Sequence, residues 1–101
     1  MTDINAIEML SRVKNGENLI LLDVREIIEY HTYNVGGTNI PLPFLKERLN
    51  ELDWNKEDEI IVLCKAGIRS AAAKSILASN GYQNVRNLTG GLLAIQKSQQ
   101  K

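Results

Sequence analysis

Glu59-Ile60-Ile61-Val62-Leu63-Cys64-Lys65-Ala66-Gly67-Ile68-Arg69-Ser70, running on into Ala71-Ala72-Ala73, decides the fold of this chain. The apolar run after Glu59 has no polar alternation, the pattern of a strand buried on both faces. Ser70 is placed to start an alanine-rich helix that reaches Asn80 and stops at Gly81. Strand, tight loop and helix make one βα unit. Working outward, Leu19 to Val24, broken only by Asp23, reads as a second buried strand. Val85 to Leu88 reads as a weaker third, and Asn39-Ile40 as a short one before Pro41. Helices fall between them. The first is capped by Thr2 or Asp3, carries Ile4, Ile7, Leu10 and Val13 one to a turn, and ends at Asn15-Gly16. Glu26 to Tyr33 forms a second. A third has Pro43 in its first turn and Phe44, Leu45, Leu49 and Leu52 inward. Trp54 anchors the polar loop Asp53 to Asp58, and a last short helix follows Gly90-Gly91. Strands alternating with helices imply an α/β fold: a central, mostly parallel sheet flanked by helices on both faces.

The chain has 101 residues, 44% hydrophobic and 24% charged, the composition of one globular domain. That domain is expected over 1–101, with a core of about 4–95 and a polar tail from Gln96 to Lys101. Twelve basic and twelve acidic residues cancel, and the halves differ only mildly, −2 for 1–50 and +2 for 51–101. Nothing here resembles the basic excess or aromatic–basic interleaving of a nucleic-acid binder. One cysteine and one histidine leave no internal disulfide and no Cys/His metal set. Met1-Thr2-Asp3 lacks the basic start of a secretory leader, and the longest apolar run, Ile60 to Cys64, is far short of a membrane span. The expectation is a cytoplasmic protein with a reduced thiol and no membrane partner.

Chemistry concentrates in the loop from Cys64 to Ser70. In open α/β sheets, ligands bind outside the carboxyl ends of strands. A loop from strand to helix turns several backbone N–H groups toward one point, and the following helix aims the positive end of its dipole there. Lys65 and Arg69 add full charges, and Gly67 permits a positive φ or close backbone approach. By position alone, a lone cysteine ending an apolar strand is a small core residue. The glycine, two cations and helix start that follow it turn the reading to a reactive thiolate of lowered pKa, in a cradle for an anionic sulfur or oxyanion substrate.

The residues also carry a family resemblance. Leu-Leu-Asp23-Val-Arg25-Glu, Glu29-Tyr30 and Asn39-Ile40-Pro41 resemble the opening signature of the rhodanese-like family. Cys64-Lys-Ala-Gly-Ile-Arg69-Ser70 resembles its active-site loop, and Asn87-Leu-Thr-Gly90-Gly91 its closing turn. The likeness runs from about residue 4 to residue 95. It implies a single-domain sulfurtransferase with Cys64 as persulfide carrier, moving sulfur from a small anionic donor such as thiosulfate to cyanide, a thiol or a protein acceptor. It implies no metal and no organic cofactor. Lys65, Ala66, Gly67, Ile68 and Arg69 would hold the substrate. Four residues, Lys65 to Ile68, separate cysteine from arginine. The related phosphatases and arsenate reductases have one more, so the loop resembles the sulfur-transferring branch. Two other readings are carried: a sulfur-relay module that recognises a protein partner through an apolar patch such as Tyr33, Val35 and Phe44, and an inactive binding domain.

Supporting roles fall to Asp23, Arg25, Glu29 and Ser70. Residues two apart on a strand face one side, so Asp23 and Arg25 share the edge where the loop sits. Asp23 is read as accepting backbone N–H groups or a loop cation, and Arg25 as pairing with Glu29. Arg69 suits bridging of loop carbonyls or a bidentate grip on an oxyanion. Lys65 reads equally as a solvated cation or a substrate contact. His31 is expected at the surface. The chain departs from the family at Asn34, where histidine is common, and at Ile95, where tryptophan is common; the latter reads as a core exchange.

Overall fold

The computed structural model describes residues 2–99. Four strands form one wholly parallel sheet in the order β2-β1-β3-β4: β1 Ile20–Asp23, β2 Thr38–Asn39, β3 Glu59–Leu63 and β4 Asn84–Asn87. The register sets Asp23 beside both Leu63 and Asn39, and Val62 beside Asn87, so the carboxyl ends line up along one edge. Side chains of β3 alternate strictly. Ile60, Val62 and Cys64 enter one core with Leu22, Leu45, Ala73 and Leu77; Ile61 and Leu63 enter the other with Ala6, Met9, Leu92 and Ile95. Helices α3 (Leu42–Leu45) and α4 (Ile68–Ser79) thus cover the first face, and α1 (Ala6–Lys14) and α5 (Gly91–Ser98) the second. A 3-10 helix, Lys46–Glu51, continues α3, and α2 (Ile27–Thr32) sits at the carboxyl edge with no buried residue. Both the α/β class and the two-sided covering agree with the sequence reading. Ile95 is fully buried, and Trp54 packs against the first core. Among the described residues, no helix is long and apolar enough to cross a membrane.

Four expectations are corrected. Helix α1 is capped by Asn5, whose Oδ1 accepts from Glu8 N at 2.8 Å, not by Thr2 or Asp3. Ile4 is taken instead by a parallel bridge to Leu88, which keeps it extended. The buried stripe of α1 is therefore Ala6 and Met9, with Leu10 beside them; Ile7, about 100° round the helix from Ala6, is 75% exposed. Phe44 likewise points outward while Leu45 fills the core. Gln96 to Ser98 belong to α5 rather than to a polar tail, because Ile95 buries that helix and carries its last turn; Gln100 and Lys101 lie outside the described residues.

At the amino edge of the sheet, Glu59 is clamped by two arginines: Arg12 Nη2 lies 2.6 Å from its Oε1 and Arg86 Nη1 2.9 Å from its Oε2. Hydrogen bonds from Arg12, opposed by partial burial and aided by Arg86, pull the Glu59 carboxyl down to about 2 from its ordinary 4.5. A depressed carboxyl stabilises the fold above its unfolded pKa, and that contribution drains away as pH falls from 4.5 toward 2. Urea midpoints taken between about pH 6 and pH 3 are expected to drop, and Glu59→Gln to flatten the drop by on the order of 1 kcal/mol. Parallel curves for the two proteins would sink this assignment.

Candidate active site

Cys64 follows directly on β3, and its thiol sits at the centre of the loop that leads into α4. The residue is 1% exposed. Gly67 N donates to Sγ at 3.0 Å and Ser70 N at 3.4 Å, while Ser70 Oγ lies 3.3 Å away. Burial pushes the thiol pKa up, but the Ser70 hydroxyl and the N–H groups of Ser70, Gly67 and Ala66 outweigh it, and the net shift is downward. The converging N–H groups are a preformed nest for negative charge on sulfur. Gly67 makes the nest possible. It has φ of +101°, and a Cβ there would lie 3.3 Å from Gly90 N. Capped in this left-handed conformation, α4 begins at Ile68, two residues before the expected Ser70, so its positive end stands against the thiol.

The far side of the loop is held by α5. Leu92 N donates to Cys64 O at 2.9 Å and Leu93 N to Lys65 O at 3.0 Å. Gly91, at φ +60°, passes so close that a Cβ would come within 2.5 Å of Lys65 C and O. The Gly90-Gly91 pair therefore serves the cysteine loop as well as starting the helix.

The charged residues sort differently from their sequence spacing. Asp23, 0% exposed, accepts from Arg25 N at 3.0 Å and from Arg25 Nη2 at 2.7 Å. Arg25 reaches Glu29 only at its main-chain oxygen and also donates to Tyr33 O at 2.7 Å, so it ties down the middle and the C-terminal cap of α2. Its expected pairing with the Glu29 carboxylate is corrected: that group takes Arg69 bidentately, at 2.6 and 3.0 Å. The Arg69 hydrogen bond, opposed by partial burial and aided by Glu26 N, brings Glu29 down to about 2. Arg69 thus ties α4 to α2, with its guanidinium committed to a carboxylate rather than to loop carbonyls. Lys65 instead lines a cavity of about 300 Å³ with Arg25, Tyr33, Leu92 and Leu93; the thiol itself does not line it. Asn34 bridges the exit of α2, donating to Tyr30 O and accepting from Gly36 N. His31 is exposed.

Two features escaped the sequence reading. Asn87, quoted only as part of a closing turn, donates from Nδ2 to Gly67 O at 3.1 Å and accepts from Ser70 Oγ. Its signal was a polar residue at the end of a strand adjacent to β3. The second is apolar exposure on the loop and α2, where Ile68 is 81% and Ile28 73% exposed. Of the patch expected from sequence, Tyr33 and Phe44 are partly exposed, whereas Val35 packs inward against the α1–α5 core.

Comparison with known proteins matches residues 6–98 to the rhodanese-like domain family. Thiosulfate sulfurtransferase PspE of Escherichia coli is 43% identical over 72 residues, 70% of this chain and 68% of that protein. YrkF of Bacillus subtilis, named as a candidate sulfur carrier protein, is 39% identical over 82 residues, 80% of this chain but 43% of that protein. A crystal structure of a rhodanese-like domain protein from Staphylococcus aureus superposes with a TM-score of 0.83 at 27% identity, covering 94% of this chain and 91% of that one.

Proposed function

This chain belongs to the rhodanese-like domain family, and from that premise we propose that its sulfurtransferase activity runs through a persulfide on Cys64, with thiosulfate as a donor. The observation that carries the reading is the focus of Gly67 N, Ser70 N and the start of α4 on one sulfur atom. In the first step, the Cys64 thiolate attacks the outer sulfur of thiosulfate. A Sγ–S bond forms, the S–S bond of thiosulfate breaks, and sulfite leaves with the electron pair. The same N–H groups that favoured the thiolate then face a persulfide whose charge rests on its outer sulfur. In the second step, an acceptor thiolate or cyanide attacks that outer sulfur, and Sγ leaves as thiolate, ready for another round. Neither step needs a proton transfer, which fits a site whose neighbouring carboxylates, Asp23 and Glu29, are both held in arginine pairs. Covalent catalysis of this form gives ping-pong kinetics. Cys64 is the one cysteine of these residues, so an acceptor thiol comes from outside them.

The exposed Ile68 and Ile28 favour a second reading for the acceptor, a protein whose apolar surface meets this rim. Intact mass after incubation with thiosulfate tests the first step. The expected result is a gain of one sulfur atom that dithiothreitol removes and that prior alkylation of the thiol prevents. A protein that stays at its starting mass, with its thiol still open to alkylation, would overturn thiosulfate as donor.

A further inference from the structure

Asn87 ends β4 beside the cysteine loop, and no step of the sulfur exchange uses it. Its main chain is fixed independently, with N donating to Asp3 Oδ1 at 3.0 Å and O accepting from Ile4 N at 3.0 Å. The side chain is thereby aimed at the loop, where Oδ1 accepts from Ser70 Oγ and Nδ2 donates to Gly67 O. Gly67 O also accepts from Ala71 N at 3.3 Å, so the loop does not hang on Asn87 alone. Ser70 is fully buried, and its hydroxyl stands between the Asn87 oxygen and Cys64 Sγ.

A serine hydroxyl has one proton to give. In the thiol form the chain closes: S–H donates to Ser70 Oγ, and Oγ–H donates to Asn87 Oδ1. When the sulfur ionises it becomes an acceptor only. Sγ and Oδ1 then compete for the same proton, and serving the sulfur strands a buried carbonyl oxygen, which carries a cost. We propose that Asn87 is a positioning residue that sets, through the Ser70 hydroxyl, how readily Cys64 ionises. This rests on the reading of Cys64 as the nucleophile. The charged groups on the elements packed about the relay are Lys65 and Arg69 on the loop, with Arg69 paired to Glu29 of α2, Asp23 paired to Arg25 at the end of β1, and Asp3, which accepts from Asn87 N and pairs with Lys74 of α4. None of them is substituted in the variants below.

The test is the pH dependence of alkylation by iodoacetamide on the full chain. Asn87→Leu removes the competing acceptor while keeping the side chain's branched shape, and leaves Gly67 O to Ala71 N; the midpoint is expected to fall by about half a pH unit. Asn87→Asp offers the hydroxyl a stronger acceptor and adds negative charge, and its midpoint is expected to rise. A purely structural role would move both variants in one direction, and that outcome overturns the proposal. In a Ser70→Ala background, Asn87→Leu is expected to leave the midpoint where Ser70→Ala alone puts it; a surviving shift also overturns it. If Asn87→Leu does not fold, the rise caused by Asn87→Asp is compared with and without Ser70→Ala; the added charge alone survives loss of the hydroxyl, so a rise undiminished in the Ser70→Ala background refutes the relay. The readout uses no sulfur donor, so failure of thiosulfate loading and failure of the Asn87 relay are separately visible.

Discussion

Cys64→Ser is expected to leave the chain folded and to lower sulfur transfer from thiosulfate by at least about 10³-fold. The substitution changes little else. Serine is close in size, and its Oγ accepts from the same Gly67 and Ser70 N–H groups that now bind Sγ. Stability is expected to change by no more than about 1 kcal/mol. Chemistry is different. A serine hydroxyl does not ionise in this pH range, and the nest that tips a thiol toward thiolate cannot supply the whole difference. A steady-state assay with thiosulfate and cyanide, run beside urea denaturation, separates the two effects. If a folded Cys64→Ser protein kept its turnover, sulfur would pass through another group and Cys64 would be a core thiol.

Gly91→Ala is expected to cost about 3 kcal/mol or more in stability and, in whatever protein remains folded, to slow alkylation of Cys64. Two effects act together. Gly91 has φ of +60°, where an L side chain is disfavoured, and its Cβ would press into the main chain at Cys64 O and Lys65. The obstacle is backbone rather than a flexible side-chain tip, so relief requires the strand end and α5 to part. That movement breaks Leu92 N to Cys64 O and Leu93 N to Lys65 O, the two bonds that hold the loop from behind. Gly16→Ala is the matched control. It too has positive φ, at +85°, but no atom within 4 Å of an added Cβ, so it is expected to show only the conformational part of the loss. Equal destabilisation by the two substitutions would show that the close approach at Gly91 carries no weight.

The strands were readable because apolar runs bounded by turn residues are a local signal, and the β3 stretch lies buried on both faces as its composition demands. The cysteine loop was readable for the same reason: nucleophile, glycine and helix start all fall within a few residues. Helix faces were less legible. Ile7 and Phe44 are as apolar as their neighbours, and only the packing of α1 against α5, and of α3 against α4, decides which side turns inward. Ile4 shows the same limit, since a bridge to Leu88, 84 positions along the chain, keeps it out of the helix.

Sequence by itself determined the α/β class, the parallel sheet, the family and the place of the thiol at a strand end, because each depends on patterns that short segments carry. Tertiary structure alone decided which charges pair. Arg25 turns to Asp23, Glu29 takes Arg69 from 40 positions away, and Asn87 arrives from β4 to hold Ser70. Charge and hydrogen-bonding capacity are properties of single residues. Partners are properties of distance, and distance between remote segments is set only when the sheet brings its carboxyl ends to one edge.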